Sequence, residues 1–243
     1  MEQNNLTLFL CFDEFEALEI AGEVLDLRLL LGWFRSIVQN RPRIALLFSG
    51  GRTVDEMGMG TDINWPHYFV NVKTLRVSFL SDDEARQLIT QPEDYYPMEQ
   101  VYGAGVVDEI IRMTGCHPFL IQAVCLYLVN NLNLKKRKQA ELHDVAIAVE
   151  RVLEQWRAGY FQDLWNRTSQ AQRACLMALQ RLKEGTLQDI VQQAAFRREN
   201  GANVVQSAEQ TLKMLLKRDL IKQEANSFRI AAPIFSTWLE RNS

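Results

Sequence analysis

Two short apolar runs, each ending abruptly in polar residues, constrain this 243-residue chain most. The first is Leu6-Thr7-Leu8-Phe9-Leu10-Cys11-Phe12, followed at once by Asp13-Glu14. The second is Ile44-Ala45-Leu46-Leu47-Phe48, followed by Ser49-Gly50-Gly51-Arg52. Nearly unbroken apolar runs of this length suit strands buried on both faces of a parallel sheet. Parallel strands need a long crossover, and the intervening residues supply one. Ile20, Val24, Leu27, Leu30, Leu31, Phe34, Ile37 and Val38 recur at helical steps until Asn40-Arg41-Pro42 stops them. The pattern predicts a β-α-β unit with polar residues at the carboxyl end of each strand, the edge where open α/β sheets bind ligands.

Asp13-Glu14 at such a tip has two readings. Asp13 can cap the helix that follows. Alternatively, Asp13 can hold the water shell of a magnesium ion while Glu14 orients an attacking water. An aspartate and glutamate after an apolar strand resemble the Walker B motif of P-loop ATPases. Ser49, at the end of the adjacent strand, resembles the polar residue that senses the γ-phosphate in those enzymes. Arg52 lies just beyond and is either a surface arginine or a side chain reaching for a phosphate or a neighbouring subunit.

Downstream, Thr74 to Leu80 alternates as a third short strand should. Ser81-Asp82-Asp83-Glu84 is a capping box opening a helix with Ala85, Leu88 and Ile89 that stops before Pro92. Val106, Val107, Ile110 and Ile111 mark a helix closed by Gly115. Pro118 sits in the first turn of the next, where a missing amide hydrogen costs nothing. From Phe119 to Val129 that helix is apolar nearly all round, which predicts deep burial. Lys135 to Lys138 form a basic loop, and Leu142, Val145, Ala148, Val149, Val152 and Leu153 line a last helix. Gly115-Cys116-His117-Pro118, arriving after two Walker-like strands, resembles the Gly-x-Pro turn in the lid of STAND and archaeal-type AAA+ ATPases. The resemblance implies that Gly115, His117 and Pro118 approach the nucleotide.

Residues 169–243 resemble a winged helix. Ala171–Leu182, Thr186–Ala194 and Val205–Leu216 give three helices, Asp219–Ile221 and Phe228–Ile230 a hairpin wing, and Pro233–Leu239 a closing segment. The expected fold class is therefore α/β then all-α, with a partial P-loop parallel sheet over residues 1–80, a helical lid over 81–154 and a winged-helix domain over 155–243.

The sequence contains no Gly-Lys pair, hence no Walker A loop whose backbone amides and lysine cradle phosphates. An amino-terminal truncation or a relic core serving as scaffold would each account for this. The resemblance implies a signal-transducing regulatory ATPase that uses ATP and Mg2+, but hydrolysis by this chain alone is not expected. The missing segment, a partner chain or a second copy would cover the exposed edges and faces of an incomplete sheet, or the front of the chain would be mobile.

Charge bears on the alternative of DNA binding through the winged helix. Residues 1–154 carry 14 Lys/Arg against 22 Asp/Glu, net −8, and residues 155–243 carry 13 against 8, net +5. The two halves can attract each other, or the basic half can meet nucleic acid. The exposed side of the third winged-helix segment, however, holds Gln206, Glu209, Gln210, Lys213 and Lys217, a mixed set that predicts weak DNA binding at most. The four scattered cysteines, all in apolar stretches, read as buried thiols in a reducing cytoplasm. The three histidines are too far apart in sequence for a metal motif, and neither a signal peptide nor a membrane span is evident.

Overall fold

In the computed structural model, residues 6–54, 57–58, 62–92, 98–155, 159–194 and 204–242 are described. The chain divides into two compact units, residues 1–76 and 77–243.

In the first unit, β1 (Leu8–Phe12) and β2 (Ile44–Phe48) run parallel, with Leu8 opposite Ile44 and Phe12 opposite Phe48. The expected β-α-β unit is present, but its crossover is not one helix from Ile20 onward. A 3-10 turn (Phe15–Ala17) and the short α1 (Leu18–Ala21) come first, followed by α2 (Leu27–Asn40). Asp26 sets the break by accepting a hydrogen bond from the Leu29 amide at 3.1 Å, an N-cap that restarts the helix. Ile20 and Val24 fall before it and are left 75% and 86% exposed. A short α3 (Trp65–Tyr68) completes the unit. Its core is aromatic: the Phe15 ring lies 4.4 Å from Phe48, 5.6 Å from Trp65 and 5.4 Å from Phe69. The last two are edge-on, and aromatic pairs of this kind add to what burial alone contributes.

The sheet differs from expectation in one respect. Leu8, Leu10, Phe12, Leu46 and Phe48 are partly covered, whereas Phe9, Cys11, Ala45 and Leu47 on the opposite face are exposed. Cys11 is therefore not a buried thiol, although Cys116 and Cys175 are. Thr74–Leu80 is also not a strand. It is irregular, with Leu75 72% and Val77 94% exposed. Alternation produces a strand only where an edge offers a ladder, and among the described residues none pairs with this segment.

The second unit begins with α4 (Asp82–Thr90), whose capping box is formed: Ser81 and Glu84 bond each other's amides. α5 (Val106–Thr114) ends at Gly115 in the left-handed conformation (φ 61°), α6 (Pro118–Lys135) starts on its proline, and α7 (Leu142–Gln155) follows. α8 (Tyr160–Asn166), α9 (Gln170–Leu182), β3 (Glu184–Thr186), α10 (Leu187–Gln193), α11 (Val204–Lys217), β4 (Ile221–Glu224), β5 (Ser227–Ile230) and α12 (Pro233–Asn242) complete it. The three short strands form an antiparallel sheet in the order β3-β5-β4. One apolar core runs through the unit, from Ala85 and Ile110 past Val124 and Val152 to Leu179, Leu215 and Trp238. The lid-like helices and the winged-helix segment thus bury their apolar stripes against a common interior.

Candidate functional site

At the strand tips of the first unit the backbone ladder passes around two residues. The Ser49 amide donates to the Phe12 carbonyl at 2.9 Å, and the Ser49 carbonyl accepts from the Phe15 amide at 2.9 Å. Asp13 and Glu14 are skipped, and Glu14 takes a left-handed conformation (φ 49°), uncommon for a residue with a side chain. This places Asp13 beside Ser49: the Ser49 hydroxyl donates to Asp13 Oδ1 at 2.7 Å, and the Glu14 amide donates to the same oxygen at 3.0 Å. These bonds, that of Ser49 foremost, hold the Asp13 carboxyl below its ordinary range. Asp13 is thus an exposed carboxylate with one oxygen fixed by the fold. Glu14 is exposed as well, and its carboxylate has no hydrogen-bond partner among the described residues.

The next two glutamates behave differently, and sequence reasoning missed them. Glu16 accepts from the Gly51 amide at 2.7 Å. Its other oxygen would lie 2.1 Å from a Cβ added at Gly50, so a side chain there would displace the Glu16 carboxylate. Glu19 pairs with Arg52 and accepts from the Gly58 amide. Arg52 therefore points back to the crossover. The only available signal was the acidic spacing Asp13-Glu14-Glu16-Glu19, which does not distinguish carboxylates that pin a loop from one left uncommitted.

Gly115, His117 and Pro118 lie in the second unit, where Gly115 and His117 meet the winged-helix segment. Gly115 combines positive φ with a close approach: an added Cβ would sit 2.0 Å from the Ala231 carbonyl oxygen. Its own carbonyl accepts from Lys222 Nζ on β4 at 2.9 Å, and that ammonium lies 4.7 Å from the centre of the Phe79 ring. His117 Nε2 is 3.0 Å from the Tyr160 hydroxyl. Pro118 occupies the first turn of α6, as its fixed φ favours. The structure thus brings Asp13, Glu14 and Ser49 together in one unit, with Arg52 held at Glu19, and Gly115, His117 and Pro118 together in the other.

The cations of the wing and third helix are largely engaged. Lys213 pairs with Glu209 at 2.6 Å, Arg229 with Glu224 at 2.6 Å, and Lys222 reaches the Gly115 carbonyl. Among the described residues no cluster of three or more His, Cys, Asp or Glu could hold a metal ion.

Comparison with known proteins agrees with this architecture. A protein family described as a probable winged helix domain matches residues 159–241. Two solved structures share the fold over nearly the whole chain. One is the Walker-type ATPase of Pyrococcus abyssi, with a TM-score of 0.57 and 16% identity over 96% of this chain. The other is the Aeropyrum pernix ORC2 protein in its ADPNP–ADP complexes, with a TM-score of 0.56 and 12% identity over 99%. The chain thus shares the fold of these two proteins, with a winged helix at residues 159–241. The chain spans 63% and 66% of those two proteins' own lengths. No curated protein sequence matches it. Among the described residues no helix is long and apolar enough to cross a membrane.

Proposed function

We propose that this chain is the Walker B-to-winged-helix portion of a regulatory ATPase of the STAND kind, in which nucleotide state controls how lid and winged helix pack. The observation that carries the reading is the 2.7 Å bond between Ser49 and Asp13 at the carboxyl ends of adjacent parallel strands. A fixed, ionised, exposed carboxylate is a hard oxygen donor of the type that holds magnesium through its water shell. In this reading Asp13 has that role, Ser49 senses the terminal phosphate, and the uncommitted carboxylate of Glu14 orients water. Bound magnesium would supply neutralisation of phosphate charge. Arg52 belongs to the loop's support through Glu19. Gly115, His117 and Pro118 act as the lid turn that transmits the nucleotide's state to the winged helix, a role to which the contacts of Gly115 with Ala231 and Lys222 and of His117 with Tyr160 lend support.

The phosphate cradle must come from elsewhere, since the sequence has no Gly-Lys pair. An upstream ATPase segment, a partner chain or a second copy would supply it and cover the bare face of β1 and β2. The winged helix serves as an internal packing domain of a cytoplasmic protein, with weak and non-specific DNA binding at most. The engaged state of Lys213, Lys222 and Arg229 favours that over a DNA-reading role.

The test is turnover of ATP by the chain alone and by the chain joined to a segment bearing a Walker A loop. Hydrolysis is expected only in the second case, abolished by Asp13→Ala and reduced ~10²–10⁴-fold by Glu14→Gln, the range of a positioned general base. Equal turnover by wild type and Glu14→Gln would remove Glu14 from the mechanism. Nanomolar binding of one duplex site by residues 155–243 at physiological salt would promote the DNA-binding alternative.

A further inference from the structure

The joint between the start of α6 and the winged-helix segment holds a partly open cavity of about 50 Å³, lined by Phe79, His117, Tyr160, Arg218, Asp219 and Phe235 among others. His117 is its most constrained polar group. The ring meets Phe79, Phe119 and Tyr160 edge-on at centroid distances of 5.6, 6.3 and 5.9 Å. Nε2 is satisfied by the Tyr160 hydroxyl, which burial keeps protonated by pushing its pKa up to about 12. Nδ1 is buried and meets no hydrogen-bond partner on any other described residue. A neutral imidazole tolerates this by leaving a lone pair at one nitrogen, but an imidazolium carries a proton on both nitrogens. Its second N–H would then be a buried charged donor with no acceptor beyond the residue's own backbone, which is far more costly.

The charged and titratable neighbours do not remove this cost. Asp219 lines the same cavity and favours the cation, but its carboxylate already accepts from the Ser78 hydroxyl at 2.9 Å. Arg218, also in the lining, opposes a second positive charge, as does Lys222 beyond the Phe79 ring. Asp82 is engaged by the Cys116 thiol at 3.3 Å. Burial outweighs the attraction of Asp219 and the bond to the residue's own backbone, and lowers the imidazole's pKa from its ordinary value.

We infer that His117 is a proton-operated latch: its neutral form closes the joint between the lid turn and the winged helix, and its protonation opens that joint. The sign follows from linkage. A histidine that binds its proton less readily in the closed state contributes stability at high pH, and that contribution is lost as pH falls below the open-state value near 6.5. His143 lies beside Glu141 and Asp144 in the same unit, so global unfolding would mix two histidines and a local readout is needed. The structure supplies three amides at the joint: Leu80, bonded to Cys116 O at 3.1 Å, Ile121, to His117 O at 2.9 Å, and Ala231, to Leu220 O at 3.0 Å.

The experiment is hydrogen exchange at those amides in the full chain from pH 7.5 to 5.5, with the intrinsic pH dependence of exchange divided out. The opening constant is expected to rise towards about tenfold in wild type, the ratio set by one proton taken up near 6.5 in the open state, and to stay level in His117→Phe. Tyr160→Phe keeps the imidazole and leaves Nδ1 as it is, so the rise in opening below about pH 6.5 should persist in that variant. A direct NMR titration of the wild-type imidazole is the check that does not depend on a variant folding. Titration at or above the ordinary histidine value overturns the latch. So does pH-independent protection in wild type, or an equal pH response in His117→Phe.

Discussion

The two units solve the problem of burying apolar surface to different degrees. The second closes on itself: one interior runs from α4 to α12. The first has a compact aromatic core on one side of β1 and β2, but leaves Phe9 60% and Leu47 46% exposed on the other. Parallel sheets are normally covered on both faces. The difference shows which part of this chain carries its own packing information and which part presents a surface that another segment could complete. The candidate Asp13–Ser49 pair lies at the tips of the incomplete sheet, so the proposed chemistry and the proposed docking surface belong to the same unit.

The largest effects should come from the two cores. Trp238 is 2% exposed and Trp65 1%, so truncation of either to alanine should cost ~3–5 kcal/mol. Hydrogen exchange over 119–129 reads the first and over 8–12 and 44–48 the second. In wild type, residues 119–129 should be the better protected set, because the strands of the first unit have open edges. Equal protection in a dilute monomer would break the comparison and make the front of the chain self-sufficient.

Gly115→Ala should be the next largest. The left-handed backbone alone costs a side chain ~1–3 kcal/mol, and the added Cβ would meet the Ala231 carbonyl at 2.0 Å. Thermal melting of the variant against wild type checks it; an unchanged melting temperature would mean that the lid turn does not sit this close to the wing. On the bare sheet face the expectation reverses. Phe9→Lys removes no buried contact, so stability should stay within about ±0.5 kcal/mol, while any self-association detected by sedimentation should weaken. If stability falls sharply instead, that face is covered by the chain itself.

Legibility follows the same division. In the second unit, local chemistry announced itself: the capping box at Ser81, the glycine stop at Gly115, the proline start at Pro118 and the wing turn all formed where the residues predict. β3 was missed because three residues, Glu184-Gly185-Thr186, carry no strand signal and pair only through β5. In the first unit the strands and their tips were legible, but the helical spacing from Ile20 to Val38 concealed a break at Asp26, a cap that looks like an ordinary polar position. The alternation at Leu75 and Val77 predicted a strand, yet pairing requires an edge that no local pattern can show. Of the candidate site, the residue types were visible at Asp13, Glu14 and Ser49. The commitments of Glu16 and Glu19 were not, since they depend on where the glycine loop folds back.

The smallest expected effect is the most local test of the Asp13–Ser49 pair. Asp13, Glu84 and Asp189 are exposed carboxylates held below their ordinary range chiefly by bonds from serine or threonine, Ser49 in the first unit and Ser81 and Thr186 in the second. In each case the depressed folded pKa means stability that is present above the unfolded value and lost as pH falls through the folded one. Ser49→Ala removes the larger of the two bonds to Asp13 and leaves the Glu14 amide, so the Asp13 pKa should rise part of the way towards an ordinary aspartate. Glu84 and Asp189 should not move, because their helix caps lie in the other unit's own sequence. Carboxyl carbon NMR titration between pH 2 and 6 follows all three groups at once. A rise confined to Asp13 would place the 2.7 Å bond in solution. An unchanged Asp13 would mean that serine and aspartate are not paired there, and would remove the geometry on which the proposed magnesium and phosphate-sensing roles rest.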